Sequence, residues 1–106
     1  MFVRILRMNL KPDGDEGITR AVDDKILPIL KKFAGFVGEC TLVARDKKEA
    51  LGVTLWEHRE NFETYDHEGS ANVLKILADY IEGKPEPQAY DVTHSTIETF
   101  PVRKAA

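Results

Sequence analysis

Glu39-Cys40-Thr41-Leu42-Val43-Ala44-Arg45 alternates between apolar and polar residues, and so does Leu51-Gly52-Val53-Thr54-Leu55-Trp56-Glu57-His58. The polar Asp46-Lys47-Lys48-Glu49 lies between them. Strand side chains point to opposite faces with a period of two, so two such runs joined by a short polar link predict a β-hairpin. Cys40, Leu42 and Ala44 share one side of the first run, and Leu51, Val53 and Leu55 share one side of the second. Those sides are expected to meet helices, with Val43 and Trp56 on the reverse.

The chain on either side of the hairpin reads as helix. Upstream, Ile18, Val22, Ile26, Ile29 and Phe33 recur at steps of three or four, which makes one apolar stripe on a helix from about Asp15 to Phe33. Asp13 or Asp15 can cap its start, and Gly35 suits the left-handed position past its end. Pro28 has no N–H to return to Asp24, so a bend is expected there. Downstream, Arg59–His67 is a short helix carrying Phe62 and Tyr65. Glu68-Gly69-Ser70 interrupts it, and a second piece over 71–82 carries Leu74, Leu77, Ala78 and Ile81, ended by Gly83. Lys84-Pro85-Glu86-Pro87 reads as a stiff loop.

Two strands close the pattern. Phe2–Leu10 is rich in large apolar residues and stops at Lys11-Pro12-Asp13-Gly14, a turn signal. Gln88–Ile97 is the last strand, with Tyr90, Val92 and His94 on the face assigned to the helices. The order is strand, helix, strand, strand, helix, strand. It predicts an α+β, ferredoxin-like βαββαβ domain over 1–97: a four-stranded antiparallel sheet with helices on one face. A polar tail follows over 98–106.

Composition narrows the function. The chain has 106 residues, 42% of them hydrophobic and 31% charged, in keeping with one folded domain. A net charge of −3 without a basic run speaks against nucleic acid as a partner. No apolar run approaches the ~20 residues of a membrane span, and none resembles a signal peptide, so the expectation is a cytoplasmic protein without a membrane partner. Cys40 is the single cysteine, which leaves no internal disulfide. Its apolar neighbours make it a small hydrophobe. His58, His67 and His94 lie on separate elements with no ligand spacing, so no metal is expected. No phosphate loop, nucleophile elbow or nucleotide fingerprint occurs.

Both faces of the sheet carry apolar side chains. Phe2, Leu6 and Met8 oppose Val3 and Ile5 within the first strand. A sheet apolar on both faces wants a second cover, and a second copy of the chain is the simplest one. A homodimer is therefore expected.

Leu10-Lys11-Pro12-Asp13-Gly14, the helix end at Phe33-Ala34-Gly35-Phe36, and Leu55-Trp56-Glu57 followed by Asn61-Phe62 resemble the antibiotic biosynthesis monooxygenase domain family. The resemblance spans roughly 1–97 and implies a dimeric α/β barrel. It implies a cofactor-independent monooxygenase acting on an aromatic or quinol substrate, or a non-catalytic dimer that binds a ligand or a protein. The haem-degrading branch of that superfamily needs an asparagine, a tryptophan and a histidine where this chain has Arg7 or Asn9, Tyr65 and Lys75. The missing histidine speaks against haem breakdown.

A cofactor-free oxygenase needs a base or polar clamp on a phenolic hydroxyl and an apolar box around it. His94, on a wall with Tyr90, is the candidate base. Structural satisfaction of a core histidine is the competing role. Arg7, Asn9, Trp56, Tyr65 and Tyr90 are the candidate substrate-binding residues. Arg7 and Asn9 can equally pair across the sheet, and Trp56 can serve packing alone. His58 suits a cap of the following helix, and His67 a surface position.

Overall fold

In a computed structural model, residues 1–97 are described. The chain runs β1 (Phe2–Leu10), α1 (Gly14–Ala21), a π-helical segment (Val22–Ile26), α2 (Leu27–Leu30), β2 (Phe36–Ala44), β3 (Glu49–Trp56), α3 (Arg59–Glu68), α4 (Ser70–Leu77) and β4 (Ile81–Asp91). The strands form one sheet in the order β2-β3-β1-β4, and every neighbouring pair is antiparallel. This is the ferredoxin-like α+β arrangement that the element order predicts. The tail expected over 98–106 lies outside the described residues. Among those described, no helix is long and apolar enough to cross a membrane.

The first helical stretch shows how the chain accommodates Pro28. Just before it, the N–H of Leu27 donates to the carbonyl of Val22, five residues back, so the helix widens into a π turn. The widening relieves the contact between a proline ring and the carbonyl four residues earlier. The expected bend is a π bulge. At the second break, a Cβ on Gly69 would stand 2.8 Å from the Phe33 ring. Glycine there lets the end of the first helical stretch pack against the junction of α3 and α4.

Register settles which sheet face is covered. Phe2 pairs with Trp56, Met8 with Ala50, and Val43 with Ala50. These residues lie on the side of Ile18, Ile26, Leu30, Phe62, Tyr65, Val73 and Leu77, and together they make the core. Trp56 is fully buried, its ring stacked on Tyr65 at 5.2 Å and edge-on to Phe36 at 5.4 Å. Phe2 packs against Phe62 at 5.4 Å. The indole N–H, which would be costly to bury alone, donates to Thr54 Oγ1 at 3.0 Å.

The expected assignment of faces is therefore reversed. Cys40, Leu42, Leu51 and Val53 point away from the helices, and Trp56 and Val43 point toward them. Alternation says which residues share a face. The face that attracts the helices is the one with the aromatic mass, which offers more area to bury.

The last strand is also displaced. α4 stops at Leu77, and β4 starts at Ile81 and includes Pro85 and Pro87. A register shift against Arg7 and Asn9 marks a bulge, with Gly83 at a φ of +72°. β4 is an edge strand, where proline nitrogens need no ladder partner. β4 ends at Asp91, so His94 lies past the strand and is exposed. Tyr90 pairs with Val3 and therefore faces away from the helices, half exposed.

Replacing Trp56 with Ala removes the centre of the aromatic cluster and should cost about 3–5 kcal/mol. That is a large part of the stability of a domain this size. Urea unfolding followed by circular dichroism measures it.

Candidate functional site

Between the covered sheet face and the helices lies a cavity of about 100 Å³. For scale, a dry engineered cavity of ~150 Å³ admits a benzene ring. The helices supply an apolar roof, with Ile18, Val22 and Ile26 from the first helical stretch and Val73 and Leu77 from α4. Leu6 and Met8 of β1 complete the apolar wall. At the floor is Gly52, where a Cβ would meet Met8 Cε at 3.4 Å and nothing else within 4 Å. Glycine at that point leaves room that any larger residue would fill.

Polar groups are few and grouped. In the cross-strand register Arg4 lies beside Thr54, and Thr54 lies beside Glu39. The three side chains form one row across β1, β3 and β2 on the covered face, and all three line the cavity. Thr41, in the next row, also lines it and donates from Oγ1 to Glu39 Oε2 at 2.6 Å. Burial pushes the Glu39 carboxyl above the ordinary carboxylate range, and the Thr41 hydrogen bond partly offsets this. The Arg4 guanidinium lies 4.8 Å from the centre of the Phe62 ring, a cation–π contact. From α3, Tyr65 presents a phenol whose pKa burial pushes up to about 12. The nearby Asp66 charge adds to the rise, and Arg4 opposes it.

Of the residues singled out from sequence, Tyr65 lines this cavity. Trp56 lies in the core beneath it and touches Tyr65. Arg7, Asn9 and Tyr90 belong to the open face of the sheet. There Arg7 binds Glu49 at 2.9 Å and reaches Glu86 at 3.6 Å, a cross-strand bridge. Those two carboxylates raise the Arg7 pKa, the Glu49 hydrogen bond most of all. His94 is exposed beyond β4 and is not part of the cavity lining. His58 precedes α3, where its backbone N–H donates to Asn61 Oδ1 at 3.1 Å, and His67 is exposed. Among the described residues no group of His, Cys, Asp or Glu is arranged to hold a metal ion.

The cavity residues that sequence reading missed are Arg4, Glu39, Thr41, Thr54 and Gly52. One signal pointed to them. Arg4 is the single charge among Phe2, Leu6, Met8 and Leu10, the apolar face of β1.

Comparison with solved structures places this architecture among known folds. A monooxygenase from the ActVA-Orf6 gene of Streptomyces coelicolor, solved with nanaomycin D, superposes with a TM-score of 0.77 at 13% identity. The match covers 91% of this chain and 90% of that one. SnoaB, a cofactor-independent oxygenase from Streptomyces nogalater, gives 0.72 at 15% identity over 92% and 97% of the two chains. The same fold is found in solved structures named as putative antibiotic biosynthesis monooxygenases. Rv0793 of Mycobacterium tuberculosis shares it too, at 0.69 and 12% identity over 91% and 98%. No family model matches the sequence, and no curated protein matches it significantly. At these identities the likeness is one of architecture, and site chemistry rests on the side chains present in this chain.

Tyr65 gives a direct test of the cavity's burial. The folded state holds the phenolic proton to about pH 12, whereas the unfolded chain releases it near the ordinary value of 10. Stability should be unaffected by this group below pH 10 and should fall as pH rises from 10 through 12. A tyrosinate absorbance titration should show a component near pH 12 that Tyr65→Phe removes.

Proposed function

We propose that this protein is a homodimer that binds a small hydroxylated aromatic or quinol molecule in the cavity and oxygenates it without a cofactor. The observation that carries the reading is the cavity itself, an apolar chamber with its polar groups in one row, Arg4–Thr54–Glu39. Apolar walls suit a ring, and a single polar pole suits its hydroxyl. Exclusion of water protects an electron-rich phenolate from side reactions.

In such a reaction the substrate hydroxyl loses its proton, and the resulting anion passes an electron to dioxygen. The radical pair combines into a peroxide anion at the activated ring carbon, which takes back the proton and then loses water to leave a carbonyl. The net change is R₂CH₂ + O₂ → R₂C=O + H₂O. The solved relatives named as a monooxygenase and as a cofactor-independent oxygenase support this reading by their shared fold.

The open sheet face supports the dimer. Ile5, Leu51 and Val53 lie there beside Leu42 and Tyr90, which are 49% and 53% exposed. Burying such a face against a second copy removes apolar area from water and closes the assembly by a two-fold axis.

Oxygen uptake with single-ring hydroquinones tests the activity, and quenching of Trp56 fluorescence tests binding. Gly52→Val, which fits a strand but fills the floor, should weaken binding at least about tenfold while leaving the fold intact, a loss on the scale of one or two buried methyl groups. Binding without oxygen uptake would leave a non-catalytic ligand-binding protein. In sedimentation, Leu42→Asp should shift the protein from dimer to monomer at micromolar concentration.

A further inference from the structure

Resting on the reading of the cavity as a site for a hydroxylated ring, we propose that Glu39 accepts the ligand's phenolic proton and that Arg4 holds the resulting oxyanion.

The placement of the two groups argues for it. They sit on strands separated by β3, so their backbones are about 10 Å apart, two strand spacings. Both long side chains lie on the covered face, with the short Thr54 between them. A hydroxyl oxygen above Thr54 falls within reach of both.

Neither group is neutralised by the other side chains described. No ion pair found among the described residues includes Arg4 or Glu39. Arg4 rests on the Phe62 ring, a contact that leaves its N–H edge free to meet an anion. Glu39 accepts from Thr41 through Oε2 and keeps Oε1 for a second donor.

The remaining titratable groups of the lining are Tyr65 and Asp66. Tyr65 keeps its proton to about pH 12 and is no base at neutral pH. Asp66 is exposed on α3. Glu39 is the half-buried carboxyl of the lining, and its burial raises its affinity for a proton.

A route for the proton is also present. Val22, Glu39 and Thr41 line both the cavity and an outer groove between the first helical stretch and β2. The charged groups facing Glu39 across that groove are Asp15, Glu16 and Arg20 of α1, Asp23 of the π segment and Arg45 beyond β2. Of these, Asp15 lies 3.9 Å from Arg45, so the pair largely cancels. Glu39 therefore stands at the throat, where a proton taken from the ligand passes outward to solvent. The step is balanced: the ligand O–H bond breaks, a carboxyl O–H bond forms, and the negative charge passes from the carboxylate to the ligand oxygen, where it pairs with the Arg4 guanidinium.

The test is equilibrium binding of 4-nitrocatechol, whose ionisation is visible by absorbance, as a function of pH. Above the pH at which the free probe has ionised, wild-type protein must take up one proton to hold anion and carboxylate together. Its affinity should fall about tenfold per pH unit there, the slope for one linked proton. In Glu39→Gln, whose amide oxygen still accepts from Thr41, the affinity should be flat over the same range. Arg4→Met should lose at least about tenfold in affinity for the anion. Glu39→Gln with the wild-type slope, or a flat wild-type profile, overturns the assignment of Glu39 while leaving the cavity reading standing. Failure of the wild type to bind the probe at any pH overturns both.

Discussion

Burial of the Trp56 indole decides how the rest of this molecule is arranged. An indole offers one of the largest apolar areas available to a side chain, together with one N–H that must be paired. Here the ring stacks on Tyr65 and meets Phe36 and Phe62 edge-on, while Thr54 takes the N–H. These contacts join the end of β3 to the start of β2 and to α3. They also commit one face of the sheet to the helices. Once that face is chosen, the alternation of every strand follows, and Leu42, Leu51 and Val53 are turned outward together.

That commitment also creates the cavity. At the Trp56 end the space between sheet and helices is filled by aromatic rings. Moving along β3, the covered positions become Thr54, Gly52 and Ala50, each too small to fill the same depth. The widened turn at Val22–Ile26 sets Val22 and Ile26 over this shallow stretch rather than a tighter helical turn. π bulges of this kind often occur at functional sites. The chamber is thus bounded by packing on one side and left open by small residues on the other. The polar row Arg4–Thr54–Glu39 runs along its edge.

Much of the architecture was legible from local pattern. The first strand, the hairpin, the break at Gly69 and the disturbance at Pro28 all follow from periodicity and from the chemistry of glycine and proline. β4 was not legible in the same way. Pro85, Pro87 and Gly83 read as punctuation, and they become strand only because β4 lies at an edge and carries a bulge. The displaced strand carried His94 and Tyr90 away from the expected wall. The site was least legible, since Glu39 and Thr41 look like the solvated side of an alternating run until the register sets them beside Arg4 and Thr54.

By itself, the sequence determined the element order, and with it the ferredoxin-like sheet, because strand and helix periods and their breakers are local properties of the chain. It also determined which residues of each strand travel together. Only the tertiary structure decided which of those sets faces the helices, because that choice depends on the summed area of aromatic groups brought together from β1, β2, β3 and α3. The same choice placed a lone arginine and a half-buried glutamate in one cavity, and moved the histidine that pattern alone had favoured out to the surface.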